Sequence, residues 1–388
     1  MTIKENKKRN YIIAHDPKSD ELLLEIKNRK DINGIRLQKL LSLPDLSRKE
    51  NSPLKFIVDK IVAMPEFKNF DVITTPEIVS VRDIFDLLNA PADHPSRKET
   101  DTYYVNKDYV LRTQTTVMWT FYLQRPEVRK QLEEYGELGL LSFGKVFRKD
   151  EIDRNHFPVF HQVDGLYLCK TKDKAIGLKD LQDILEKIAK NIYGESANYK
   201  FLEDTFPFTD PSTQIEIQRN NDWLEIVGAG VVHKQVLANL GIDPNIYNGW
   251  AFGFGLERLA MIKNNISDIR IFWSEDPRIT KQFTNINSQY QEVSKYPMTY
   301  RDISFIVSKE TSLNNYYEIV RDCADNLVEE VKLSDKYENK EKFGENKISY
   351  TFRIIYRSPE RTLTNEEVNI IQERIQEKTI KELNAKIR

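Results

Sequence analysis

Cysteine is nearly absent: two residues in 388, Cys169 and Cys323, far apart and near no matching histidines. That argues against a disulfide scaffold or a cysteine zinc site and suits a reducing compartment. Long apolar runs are missing too. None approaches the roughly 18 residues that a membrane-spanning helix needs. Neither sign of charge is in excess, with 58 Lys+Arg against 60 Asp+Glu and a formal net charge of -2. A basic field over the whole surface is therefore excluded, and a polyanionic partner must be met by local patches. The opening "MTIKENKKRNYIIAHDPKSDE" carries Glu5, Asp16 and Asp20 and has no long apolar core or arginine-rich amphipathic pattern. Neither a secretory nor an organellar signal is expected from it. Internal repeats and low-complexity tracts are likewise absent.

What the chain has is length and apolar residues enough for two globular units: 40% hydrophobic and 11% aromatic. "NSPLKFIVDKIVAM" (51–64) reads as a helix, with Asn51 or Ser52 as N-cap, Pro53 early, and Leu54, Ile57, Val58 and Ile61 at helical spacing. "GLKDLQDILEKIAKNIYG" (177–194) is strongly amphipathic and ends at Gly194. Short strand-like runs lie around it, such as "LLSFGKVFR", "QVDGLYLC", "QIEIQ" and "DWLEIVGAGVV". Strands with inserted helices imply an α+β class built on a largely antiparallel sheet. Apolar density drops near 284–296, the expected linker. Beyond it the order strand, helix, strand, strand, helix over 297–388 predicts a small ferredoxin-like unit, with "AKIR" as its only room for a last strand. Thr364 and Glu367 form a capping box for the last helix. In "ISYTFRIIYR" the even positions Ile348, Tyr350, Phe352, Ile354 and Tyr356 are apolar and should face the helices. Arg353 and Arg357 would then project from the open face, a platform for RNA or simply a solvated surface.

Two stretches resemble nucleotide-binding fingerprints and fail. "GLLSFGKV" (139–146) has the spacing of a phosphate-binding loop but places Val146 where a hydroxyl should bind magnesium. "NGWAFGFGLERLAMI" (248–262) has Arg258 where the dinucleotide fingerprint wants a third glycine. Its glycines instead let backbone approach a flat ligand, and a guanidinium just beyond them suits a phosphate. A tight turn with a solvated arginine is the competing account. "KVFRKDEIDRNHFPVFHQVDG" (145–165) reads as strand, polar loop, strand, with Gln162 and Asp164 on one face. Arg148, an amide and a carboxylate converging there could grip a zwitterion and a phosphate. Taken alone, the stretch is equally an ordinary charged hairpin.

Together and in this order, the two stretches resemble motifs 2 and 3 of class II aminoacyl-tRNA synthetases. "VFRKDEIDRNHFPVFHQVDGL", "FPFTDPS", "GAGVVH", "GWAFGFGLERLAMI" and "DIRIFWSEDPR" are similar to phenylalanyl-tRNA synthetases. "PADHPSR", "YPMTYRDISF" and "YRSPERTL" point to their single-chain form. The resemblance spans about 50–388 and implies a class II antiparallel-sheet catalytic domain over 46–283 and a ferredoxin-like anticodon-binding domain over 297–388. An N-terminal extension, 1–45, has no assigned role.

The resemblance also implies that ATP and magnesium are used, that phenylalanine is activated to its adenylate, and that the acyl group passes to the phenylalanine tRNA. By the same residue-wise match, Arg148 holds the α-phosphate and Arg258 the γ-phosphate. Asp150, His156 and Phe160 fall in the ATP-contacting region. Ala251 to Gly253 form the floor under the amino acid, Phe206 and Phe208 pack on its ring, and Gln162 and Asp164 meet its ammonium. Glu225, before "GAG", is the candidate magnesium ligand. Arg353, Arg357 and Arg361 are the candidate tRNA contacts. A monomer, with no membrane partner, is expected, in a bacterial cytoplasm or a mitochondrial matrix.

Three positions depart from the family pattern. Gln114 and Thr116 stand where histidine and serine are usual, and Asp164 replaces a glutamate, so contact with the ammonium is expected to become water-mediated. The length leaves no room for a separate editing domain, and an apolar pocket rejects an added hydroxyl only on the order of 100-fold, so mischarging with tyrosine or meta-tyrosine is expected. The rival readings are a non-catalytic tRNA-binding paralogue, which the presence of both Arg148 and Arg258 disfavours, and a tRNA-independent ligase, which the C-terminal unit disfavours.

Overall fold

Helices form where apolar spacing meets a capping side chain. Pro53–Val62 starts where the Ser52 hydroxyl accepts the Leu54 N–H, and it buries Leu54, Ile57, Val58 and Ile61. Leu178–Tyr193 starts where Asp180 takes the Gly177 N–H at 2.9 Å and stops at Gly194, whose φ of 98° lies in the region that favours glycine. In Asn365–Leu383 the capping box is reciprocal: Glu367 N–H donates to the Thr364 hydroxyl at 3.2 Å, and Thr364 N–H to the Glu367 carboxylate at 2.9 Å. These three helices and the capping box are as the sequence predicts.

The computed structural model describes residues 8–219, 222–292 and 296–388. Residues 1–7 of the expected N-terminal extension and 293–295 of the expected linker lie outside them. The described chain divides into two units. One comprises the chain through Arg148, Val159–Ile266 and Phe283–Gln289; the other comprises Lys149–Pro158, Ser267–Gln282 and Tyr290–Arg388.

In the first unit the strands are β1 Tyr11–Ile13, β2 Asp71–Thr74, β3 Ile78–Ser80, β4 Tyr109–Leu111, β5 Glu137–Phe147, β6 Val159–Lys170, β7 Tyr199–Phe206, β8 Thr209–Arg219, β9 Asp222–Val232 and β10 Tyr247–Gly255. Eight of them form one sheet in the order β1-β2-β5-β6-β10-β9-β8-β7, while β3 and β4 pair separately. The β1–β2 and β2–β5 pairs are parallel and the others antiparallel. β6, in the middle of this sheet, is buried at Val163, Leu166 and Leu168.

The N-terminal segment belongs to this unit. Arg9 donates to the carbonyls of Val62, Phe67 and Phe70, and Lys145 donates to those of Leu41 and Leu43.

The second unit contains β11 Thr299–Ser308, β12 Val328–Tyr337, β13 Lys347–Tyr356 and β14 Lys386–Ile387, in the order β12-β13-β11-β14 and antiparallel throughout. All five even positions of β13 are buried, as alternation predicts, and they pack with residues of the helices Leu313–Ala324 and Asn365–Leu383. Residues 149–158 join this core. Ile152 is buried in it, its carbonyl accepts the Val331 N–H at 2.9 Å, and Arg321 donates to the carbonyls of Asp150 and Glu151. The buried Glu329 carboxylate accepts from Arg154 Nε and Arg357 Nε, each at 2.6 Å. No helix among the described residues is long and apolar enough to cross a membrane.

Candidate active site

β6 places Gln162 and Asp164 on one face, and β10 runs beside it with Gly253 opposite Asp164 and Gly255 opposite Gln162. Asp164 is buried. Its Oδ1 accepts from the Thr115 hydroxyl and its Oδ2 from the Thr116 hydroxyl, both at 2.6 Å, while Gln162 Oε1 accepts the Thr115 N–H at 3.1 Å. A short helical turn, Thr115–Val117, presents those groups. Two of the three departures from the family pattern thus touch: the Thr116 hydroxyl is bonded to the shortened carboxylate.

Burial pushes the Asp164 carboxyl up to about 6, against the opposing pull of the two hydroxyls and of Arg148 and Arg112. Close approach explains one glycine, since a Cβ at Gly253 would meet Asp164 Oδ1 at 2.9 Å. Thr115 was not singled out by the sequence. Its only signal was its place in "TQTT" ahead of buried apolar residues.

Arg148 is anchored by Nε donating to the Thr113 carbonyl at 3.0 Å, and its guanidinium lies 5.2 Å from the centre of the Phe160 ring. Two sequence-predicted residues are thereby in contact. Arg258, in the first turn of the helix Leu256–Lys263, donates to the Glu225 carbonyl at 3.0 Å and has the Glu225 carboxylate at 3.8 Å. Burial raises the Glu225 carboxyl from its ordinary range, and Arg258 opposes it. Positive charge from Arg148 is a lesser influence that opposes burial at both the Asp164 and the Glu225 carboxyl.

Phe206 and Phe208 stack on each other, with centres 5.8 Å apart and planes 8° from parallel, and Phe208 meets Trp119 edge-on at 6.1 Å. Phe208 packs against the buried cluster that contains Ala251, Met118 and Leu166. Gly228 of "GAG" has a steric reason: a Cβ there would lie 2.5 Å from the Phe206 ring. Gln114 immediately precedes the turn that carries Thr115. Enlarging the floor by Ala251→Gly is expected to raise turnover of para-chlorophenylalanine relative to phenylalanine. Unchanged relative turnover in pyrophosphate exchange would remove Ala251 from the floor.

Asp150 and His156 lie in the second unit. The Asp150 carbonyl accepts from Arg321, and His156 Nδ1 is 2.9 Å from Asp153. Each candidate tRNA contact is matched by a carboxylate. Asp302 takes Arg353 with two bonds of 2.8 Å, Glu329 takes Arg357, and Glu367 takes Arg361 at 2.6 and 2.9 Å. Tyr300 lies under Arg353, 4.2 Å from its guanidinium carbon.

Among the described residues no cluster of three or more His, Cys, Asp or Glu could hold a metal by itself. Glu225, beside Arg258, offers a single carboxylate, which can be one ligand of an ion that takes its other ligands from elsewhere.

The fold of the first unit, a largely antiparallel sheet with helices inserted between its strands, is that of a class II synthetase core. Residues 40–283 match the tRNA synthetases class II core domain (F), and residues 294–388 match the ferredoxin-fold anticodon binding domain. The chain is 39% identical to the chloroplastic/mitochondrial phenylalanine–tRNA ligase of Arabidopsis thaliana, over 83% of this chain and 73% of that protein. It is 36% identical to the mitochondrial phenylalanine–tRNA ligase of Mus musculus, over 83% and 75%. Against that of Saccharomyces cerevisiae it is 28% identical over 92% of this chain and 95% of the yeast protein. The chain belongs to the phenylalanine–tRNA ligase family.

Proposed function

We propose that this protein activates phenylalanine with ATP and transfers it to the phenylalanine tRNA. The observation that carries the reading is the buried Asp164, held by Thr115 and Thr116 on a sheet face where Gly253 stands between it and Gly228, over which the Phe206 ring lies. A carboxylate is what a substrate ammonium needs, and the aromatic wall is what a phenyl ring needs. The substrate carboxylate oxygen attacks the α-phosphorus of ATP in line, forming the acyl–phosphate bond as pyrophosphate leaves. A ribose hydroxyl of the tRNA then attacks the acyl carbon and AMP leaves.

Arg148 is assigned to the α-phosphate and Arg258 to the γ-phosphate, with Phe160 along the nucleotide. No protein nucleophile is required; positioning and charge stabilisation carry the step. A magnesium ion bound with the triphosphate, with Glu225 as protein ligand, supplies further neutralisation of phosphate charge. Arg353, Arg357 and Arg361 are assigned to tRNA, each exchanging a carboxylate partner for phosphate or base. Residues 46–283 are assigned to catalysis and 297–388 to anticodon binding, joined by 284–296. A monomer in a mitochondrial matrix is the assembly and compartment proposed, in line with the mitochondrial names of the relatives.

The test is amino-acid-dependent exchange of labelled pyrophosphate into ATP with all twenty amino acids. Exchange with phenylalanine far above tyrosine is expected. No exchange from folded protein would favour the non-catalytic reading and implicate Gln114, Thr116 and Asp164.

A further inference from the structure

One buried polar cluster lies beside these groups and has no part in the scheme above. His161, on β6 next to Gln162, is fully buried. Its backbone N–H donates to Glu257 Oε2 at 2.8 Å, and its ring Nδ1 lies 2.6 Å from Glu257 Oε1. On the other side of the ring, Nε2 lies 2.9 Å from the Leu46 backbone nitrogen. A backbone N–H can only donate, so Nε2 accepts. The ring proton therefore sits on Nδ1 and is donated to Glu257. Glu257, buried at 3% exposure, thus receives two N–H groups from a single residue. Asp45 Oδ1 stands 3.5 Å from Nε2.

The sequence neighbours give the cluster its meaning. His161 precedes Gln162, and Glu257 precedes Arg258. The carboxylate therefore bolts the first turn of the Arg258 helix to the strand that carries the amino-acid end of the site. Side chains alternate along a strand, so the bolt acts on the face opposite Gln162 and Asp164. A buried carboxylate that loses its donors is costly, which keeps the bolt from slipping. In-line attack needs the reacting atoms about 3–3.5 Å apart, and a misplacement of about 1 Å can cost on the order of 100-fold in rate.

We infer that His161 and Glu257 are positioning residues for adenylate formation, and that the Leu46 backbone N–H takes part in the same device by fixing the imidazole from behind. The inference rests on the assignment of Gln162 and Arg258 to the two ends of the substrate pair.

The test uses the full chain with His161→Asn, His161→Gln and Glu257→Gln. Activity is expressed per active site titrated by adenylate formation, and thermal melting is followed in parallel. Asparagine puts an amide donor near Nδ1 and leaves the Leu46 N–H without its acceptor. Glutamine does the reverse, placing its amide near Nε2. Glu257→Gln keeps one acceptor of two. For His161→Gln and Glu257→Gln, kcat in pyrophosphate exchange is expected to fall about 10- to 100-fold, and for His161→Asn about 3- to 10-fold. The KM for phenylalanine should stay within about twofold, because Asp164 and its two threonines are untouched.

A kcat per titrated site within twofold of the parent's in the variants that fold, or a loss carried by the KM for phenylalanine, overturns the inference. His161→Asn, the mildest change, keeps it testable if the others fail to fold. Arg258→Ala separates the two levels. If that variant retains full exchange, the assignment of Arg258 fails. If it loses exchange while the His161 variants keep theirs, the positioning inference alone fails.

Discussion

Arg148→Ala is expected to lower phenylalanine-dependent pyrophosphate exchange by about three orders of magnitude, the size seen when a preorganised donor to a developing anion is removed. The guanidinium is preorganised by two contacts that a lysine cannot copy: the Nε bond to the Thr113 carbonyl and the packing on Phe160. Arg148→Lys restores a point charge without the fork or the planar face, so it should recover only a minor part of the loss. A second effect follows from the charge itself. Arg148 helps hold the Asp164 carboxyl down against burial, so the alanine variant should titrate Asp164 at higher pH than the parent does. The KM for phenylalanine in Arg148→Ala should accordingly begin to rise at a higher pH. Steady-state exchange at varied ATP, phenylalanine and pH reads both effects. Retention of more than a tenth of the parental kcat would remove Arg148 from the reacting phosphate.

The groups expected at the two ends of this site were legible from side chains near one another in sequence. "VFR" put Arg148 at a strand end next to the loop, "HQVDG" put Gln162 and Asp164 on one face, and alternation in "ISYTFRIIYR" marked the buried side of β13. What could not be read depends on chain segments that are far apart. The pairing of Thr115 with Asp164 spans 49 residues, that of His161 with Glu257 spans 96, and that of Leu46 with His161 spans 115. No local spacing rule reaches that far. The candidate tRNA arginines show the same limit: alternation gave the face of Arg353, but its carboxylate partner Asp302 is set by the register of β11 against β13. The loop 149–158 reads as polar, with Ile152 set among charged residues. That residue, Ile152, was the signal, because an isoleucine inside a charged loop is a candidate anchor. The core it joins is completed by helices more than a hundred residues later.

Asp164→Asn is expected to divide affinity from stability. Asp164 is an acid whose folded-state value, about 6, lies above the ordinary carboxyl range near 4. Between those two values the folded chain binds more protons than the unfolded one, so this group's contribution to stability grows as pH falls from about 6 to about 4 and is lost as pH rises through 6. At neutral pH the buried charge is thus a cost to the fold, which the proposed contact with the substrate ammonium would explain. Asparagine removes the cost and is nearly the same shape, and the Thr115 and Thr116 hydroxyls can turn to donate to its oxygen and accept from its nitrogen. The variant should therefore melt higher than the parent at pH 7.

Its KM for phenylalanine should rise by about 100-fold or more, since the ammonium would be buried against a neutral amide. In the parent, that KM should be flat above about pH 7 and climb about tenfold per unit below about 6, as protons compete with the ammonium for Asp164. In Asp164→Asn the pH dependence should disappear along with the affinity. A parental KM that stays flat down to pH 5 would show that the ammonium is held elsewhere. Thr116 and Asp164 would then be a structural pair, and the shortened carboxylate would have left substrate binding altogether.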